Sequence, residues 1–342
     1  MWQTQTYFWP FVTGALLSLV SVPVVIAWYQ AHGWDAPHRG HRQDVKDTHA
    51  TPVPRGGGVS ILLGILLPAM YFTAFWEPRL AAILLGALVL VLVGTWDDVA
   101  DISPFWRLGV NFAVAFLVIA AGVRIEFVTN PFGGGVWHFA AWPWLPWVLT
   151  SLYLVALTNI TNWAKGVDGQ LPGVVVIAAF FIGLLAIKLG VGGWPAILSF
   201  IVAGSFAGFL VWNFYPQKIM PGYGGGSLAG FMLGVLSILA GTKIVTLFMV
   251  LALPIADAAF TVLRRLHAHK SIFLGDRGHL HHKLLDRLHW GRRRIALFYW
   301  ATTLLLGVLA LVLPLWGKVA VFIAVVVAVF YFLIYIKLHQ TA

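Results

Sequence analysis

The chain has no cysteine among its 342 residues. That excludes a disulfide framework, a thiolate nucleophile and a cysteine-ligated zinc site. Charge is scarce too. Asp, Glu, Lys and Arg make up 10% of the residues while 60% are hydrophobic, whereas soluble domains carry about 25% and about 45–50%. So few charges cannot clothe a water-facing surface of this size, so lipid has to be part of the solvent. Acids are the scarcer sign, 12 against 22 Lys and Arg, for a net charge of +10. No nucleic-acid motif accompanies that excess, so nucleic acid is set aside as a partner. Cytosolic loops and anionic membrane lipids account for it instead. The N-terminus lacks the basic region, short apolar core and small-residue cleavage site of a secretory leader. Its first apolar stretch is expected to stay as a span.

What is present is apolar and aromatic, including 17 Trp and 24 Phe, residues suited to the interface and the lipid core. A membrane span needs about 20 mostly apolar residues. Eleven stretches meet or approach that length: 10–30, 57–75, 80–96, 106–123, 144–163, 172–189, 195–213, 226–241, 243–263, 295–315 and 318–338. The expected fold is therefore an all-α polytopic membrane protein of about eleven transmembrane helices, in one domain over 1–342. The segment Arg124–Pro143 reads as a small hairpin or an interfacial stretch. Five basic residues, Arg79, Arg124, Lys188, Lys243 and Lys318, fall on one side; the remaining 17 of 22 fall on the other. The positive-inside rule puts that richer side, with the C-terminus, in the cytosol and the N-terminus outside.

The same side holds most acids, in loops at about 31–56, 97–107, 164–171, 214–225 and 264–294. Acids and bases gathered on one face imply a polar site there. Asp97 and Asp98 end the third apolar stretch, where two carboxylates beside hydrocarbon need compensation. They suit a magnesium ion or proton removal, or else a solvated turn that caps the next helix. Asn159 and Asn162, three apart, share a helical face, and Gly-Val-Asp168-Gly returns Asp168 toward the same mouth; an Asn-rich helix cap is the plainer alternative. Gly222-Tyr-Gly-Gly-Gly-Ser227 precedes an apolar run, a weak signal for an anion-binding helix start. His279, His281 and His282 lie among arginines. Neighbouring His281 and His282 diverge around a helix and the His-Glu-x-x-His spacing is absent, which disfavours zinc. An imidazole and guanidinium grip on pyrophosphate fits better. Arg292, Arg293 and Arg294 read as a lipid-headgroup anchor.

Taken in order, these motifs resemble the polyprenyl-phosphate N-acetylhexosamine-1-phosphate transferases. The resemblance runs from His49-x-x-Pro-x-Pro54-Arg55-Gly56-Gly57 through Asp97-Asp98, Asn159-x-x-Asn162 and Asp168-Gly169. It continues in Phe214-Tyr-Pro-Gln-Lys218, Pro254-x-x-Asp257 and Asp276-Arg-Gly-His279-Leu-His281-His282. The His-Leu-His-His form is similar to the branch that uses simple UDP-N-acetylhexosamines. The resemblance implies an enzyme of the bacterial plasma membrane that moves a sugar-1-phosphate, GlcNAc-1-phosphate foremost, from a UDP-sugar to polyprenyl phosphate with release of UMP. A silent membrane protein of the same fold that binds a nucleotide-sugar or lipid is the alternative. It further implies Asp97, Asp98 and Asp168 as catalytic residues, with magnesium at Asp97 and Asp98. Substrate contacts would come from Lys46, His49, Asn159, Asn162, Lys165, Lys218, Arg265, His279, His281 and His282, and the assembly would be a homodimer.

Two positions depart from the family pattern. Lys165 stands where members read the first Asp of Asp-Gly-x-Asp-Gly, and Tyr223 where they read the Asp of Gly-Asp-x-Gly-Ser. Three arrangements accommodate this: Lys165 takes over part of a metal's task, magnesium moves to Asp97, Asp98 and Asp168, or substrate binds without turnover.

Overall fold

Helix follows apolar run through the described residues. The computed structural model describes residues 2–34, 53–73, 76–130, 133, 135–241, 244–271 and 277–339. The first helix, α1 (Trp2–Ala31), is followed by α2 (Gly57–Phe72), α3 (Pro78–Ala100), α4 (Pro104–Ala120), α5 (Leu145–Trp163), α6 (Gln170–Lys188), α7 (Trp194–Asn213) and α8 (Gly222–Leu239). After these come α9 (Ile244–Val250), α10 (Ala252–His267), the short α11 (Leu280–Asp286), α12 (Arg292–Val312) and α13 (Leu315–Leu338). Each of the eleven apolar stretches is helical, with α9 and α10 sharing one stretch and meeting at 83°. Among the described residues, seven helices are long and apolar enough to cross a membrane, eight if the bent pair counts as one span, while α2 and α4 are shorter. Several of the eleven expected spans thus become helices whose length or composition alone does not make them crossings. Between α4 and α5, β1 (Phe127–Thr129) and β2 (Val136–His138) pair antiparallel as a hairpin, Val128 opposite Trp137.

Prolines set several helix starts: Pro78 and Pro104 occupy first positions, where a missing N–H costs nothing. The turn between α3 and α4 is short. Asp101 ends α3 in the left-handed region at φ 47° and Ser103 caps α4, its hydroxyl accepting from Phe105 N. That reversal brings the first turn of α4 back beside the last turn of α3.

Helices in lipid gain little from apolar burial against each other and rely on close packing. The interface of α1 with α7 shows how. Gly204 and Gly208, one turn apart on α7, lie against the backbone of Phe11 and Ala15; a Cβ at either would fall 2.0 Å from a carbonyl oxygen. The innermost helix is α8, buried along nearly its full length against α2, α3 and α5. Its N-terminal end meets the last turns of α3 and α5, and there the polar residues collect. The opposite ends carry the sparse basic set, with Lys188 Nζ donating to Leu311 O and Lys318 Nζ to Thr246 Oγ1.

Candidate active site

Asp97 and Asp98 sit in the last turn of α3, so consecutive side chains leave the helix about 100° apart and find different partners. Asp97 is 8% exposed, and its Oδ2 accepts from Arg107 Nη1 at 2.9 Å. Its Oδ1 is buried and no protein donor reaches it. Asp98 turns toward the start of α8, where Tyr223 N donates to both carboxylate oxygens at 3.0 and 2.9 Å. The Gly-rich segment is therefore an anion site, as its sequence hinted, but the anion is the protein's own carboxylate. Lys165 and Arg55 act electrostatically on Asp98 as well.

The glycines lie inside α8, and their role is close approach. Gly222 takes φ +69°, and a Cβ there would meet Arg55 O and Asp98 Oδ2; a Cβ on Gly226 would meet Asn162 Oδ1. Bare backbone lets α8 come within hydrogen-bonding distance of α3 and α5 together.

Lys165 joins these elements. Its Nζ donates to Asn162 Oδ1 at 3.0 Å and to Gly222 O at 2.6 Å. Asn162 Nδ2 in turn donates to Ser227 Oγ at 2.6 Å. The Tyr223 ring lies between two cations, Arg107 at 5.0 Å and Lys165 at 5.7 Å from its centroid. Asn111 Nδ2 donates to its hydroxyl at 3.3 Å.

On the far side of the 163–166 turn stands the histidine cluster. His281 packs directly on Gly166, where a Cβ would strike its ring. The His279 and His281 rings stack 5.5 Å apart at 6°. Asp257 organises them: Oδ1 accepts from Leu280 N at 2.7 Å, and Oδ2 lies 3.1 Å from His279 Nδ1. Both α11 histidines are held neutral. Burial, then His282 and His279, pushes His281 well below the usual imidazole range, and burial, then His279 and Arg277, takes His282 down to about 4.

Asp168 is 1% exposed. Its Oδ1 lies 3.3 Å from Arg292 Nη1 and its Oδ2 accepts from Gln217 N. Arg292 thus leaves the expected headgroup anchor to tie α12 to the 164–170 turn, while Arg293 lies over Tyr215 and Arg294 over Trp290. Asn159 Nδ2 is occupied by Val155 O of its own helix. Arg265 is buried and donates to Ser271 O. Lys218 is exposed over Trp212, on a cavity of about 510 Å³ shared with α1. Lys46, His49 and Asp276 lie outside the described residues.

Sequence reasoning missed Arg107, Asn111, Asn213 and Ser227. Asn213 Oδ1 receives Gly169 N at 2.9 Å and its Nδ2 donates to Ile219 O. Arg107 had a signal, since a Ser-Pro helix start six residues after Asp97 returns the first turn of the next helix, and Arg107 with it, to the acidic helix end.

Magnesium needs several oxygen ligands and an excess of negative charge. Of the four carboxylate oxygens at Asp97 and Asp98, Arg107 holds one and Tyr223 N holds two. Three cations, Arg107, Lys165 and Arg55, act on these two acids, and the exposed Asp101 only balances the count. Among the described residues no three His, Asp or Glu side chains gather as a metal cage. The residues present do not fit a divalent ion.

A bundle of membrane-span-capable helices with carboxylates, amides, a lysine and histidines gathered at one end is the arrangement of a polytopic membrane enzyme. A family model described as Glycosyl transferase family 4 matches residues 80–241. The chain is 32% identical over 248 residues to the probable undecaprenyl-phosphate N-acetylglucosaminyl 1-phosphate transferase of Bacillus subtilis, covering 70% of this chain and 68% of that one. It is 30% identical over 320 residues to the decaprenyl-phosphate N-acetylglucosaminephosphotransferase of Mycobacterium leprae, covering 83% and 80%. To the phospho-N-acetylmuramoyl-pentapeptide-transferase of Moorella thermoacetica it is 27% identical over 320 residues, covering 89% and 97%. The chain belongs to glycosyl transferase family 4.

Proposed function

We propose that the chain transfers an N-acetylhexosamine-1-phosphate, GlcNAc-1-phosphate foremost, from a UDP-sugar to a polyprenyl phosphate. The observation that carries this is Lys165, in the turn after α5, bonded to Asn162 and to Gly222 O beside Asp98, with His281 packed on the other side of the same turn. Higher identity to the N-acetylglucosaminyl relatives than to the muramoyl-pentapeptide one favours the simple sugar.

In this reaction an oxygen of the polyprenyl phosphate attacks the β-phosphorus of the UDP-sugar. The bond from that phosphorus to the bridging oxygen breaks, and its electron pair leaves on UMP. One phosphoanhydride replaces another, so positioning and charge neutralisation carry the catalysis. In this reading Asp97 Oδ1, buried without a protein donor, accepts a proton or hydrogen bond from the lipid phosphate. Asn162, Lys165 and the histidines would surround the donor. The site end would face the cytosol of a bacterial plasma membrane, with the N-terminus outside, because it carries most of the basic residues.

The test is purified protein with UDP-GlcNAc and polyprenyl phosphate, reading UMP release and labelled lipid. Asp97→Asn should lower the rate by about 10²-fold or more. Tight UDP-sugar binding without UMP release would instead identify a silent binder.

A further inference from the structure

We propose that this chain neutralises its donor diphosphate with resident cations, Lys165 first, and so binds and turns over the nucleotide-sugar without a divalent ion. The proposal rests on the transferase reading and concerns how the same site handles charge.

Lys165 stands where the end of α5 and the start of α8 meet the carboxylates of α3. Its ammonium is fixed to Asn162 on α5 and to Gly222 O at the start of α8, and it acts on both Asp97 and Asp98. It is half-buried rather than sealed in, which leaves its surface within reach of a ligand. Tyr223, in the first turn of α8, presents a neutral phenol that receives Asn111 and lies beneath both Arg107 and Lys165. A carboxylate at that position would pair with these cations and cancel them. The phenol adds no further negative charge beside them. The two departures therefore act as a pair: one adds a cation, and the other withholds the acid that would quench it.

The remaining acids do not reverse this balance. Asp98 is turned inward onto Tyr223 N and acts as the anchor of the α8 start. Asp97 is bound to Arg107. With Asp97, Asp98 and Asp101 set against Arg107, Lys165 and Arg55, the site has no excess of negative charge to hold a dication, and Lys165 supplies a cation at the mouth where a diphosphate would sit. An ammonium on phosphate oxygens supplies the same sign of charge as a metal at the atoms where negative charge grows during transfer. The bonds made and broken are those already given, and no metal enters them.

The experiment uses the full chain in detergent or nanodiscs and measures UDP-GlcNAc affinity calorimetrically, in excess EDTA and in excess magnesium. The expected result is the same affinity within about twofold, with UMP release and lipid product formed in EDTA as well. Lys165→Ala should weaken binding by about tenfold or more, and Lys165→Arg should retain most of it. Pairing Lys165→Asp with Tyr223→Asp should create binding that requires magnesium. Wild-type binding in magnesium but none in EDTA overturns the metal-free proposal and leaves the transferase reading standing. No binding under either condition overturns the transferase reading and this proposal with it. The wild-type comparison needs no variant to fold.

Discussion

A backbone N–H, an ammonium and a guanidinium converge on the single carboxylate of Asp98. Next door, Asp97 keeps one oxygen for Arg107 and one without a protein donor. Two adjacent residues of one type thus divide into an anchor and an available acceptor, because a helix turn sends them to different neighbours. The histidines divide in a similar way: His279 is held by Asp257, whereas His282 is buried and neutral. This makes a pH prediction with a definite sign. The folded His282 protonates only near pH 4, well below its ordinary 6.5, so on acidification the unfolded chain takes up a proton first. Stability contributed by this group is intact above 6.5 and falls as pH drops from there toward 4, by on the order of 3 kcal/mol. Thermal unfolding at neutral pH and at about pH 4 should show the loss. His282→Asn should lose less over the same interval, and an unchanged gap between the two proteins would contradict the assignment.

At the scale of elements, the helices were legible and their joints were less so. Apolar runs end where polar residues begin, so each run could be read directly as a helix. The glycine-rich run that opens α8 reads from sequence as an external anion site because the sequence does not show that Asp98 folds back onto it. Arg107 went unnoticed because its partner is separated from it by a turn and counted as a neighbouring loop charge. Asp168 read as catalytic by resemblance, while the structure gives it Arg292 and Gln217, partners from distant segments that no local pattern reveals. Glycine in helices marks the joints most clearly. Gly208→Ala on α7 puts a methyl 2.0 Å from Ala15 O, a backbone atom that cannot swing aside, so α1 and α7 must separate. Gly109 on α4 is exposed with open space around it. Gly208→Ala should lower detergent stability by about 1–3 kcal/mol, while Gly109→Ala should be neutral or raise it by about 0.5–1 kcal/mol. Chemical denaturation of the three proteins side by side checks both.

For the whole molecule, the decisive question is which end of the bundle meets the nucleotide. A UDP-sugar is made in the cytosol, so the reading requires the Asp97–Lys165 end to face inward. The positive-inside rule, applied to the distribution of Lys and Arg, proposes the same orientation on grounds that do not involve the site. The absence of cysteine makes the point directly testable, because any single introduced thiol is the only one in the chain. Glu126 is exposed beside the β1–β2 hairpin at the far end, and His289 is exposed between α11 and α12 at the site end. A membrane-impermeant maleimide added to intact cells should label Glu126→Cys and spare His289→Cys. After permeabilisation both should label. If His289→Cys reacts in intact cells and Glu126→Cys does not, the site faces outward. A cytosolic UDP-sugar would then have no route to Lys165, and the transferase reading would fail on topology alone, whatever the chemistry of the pocket allows.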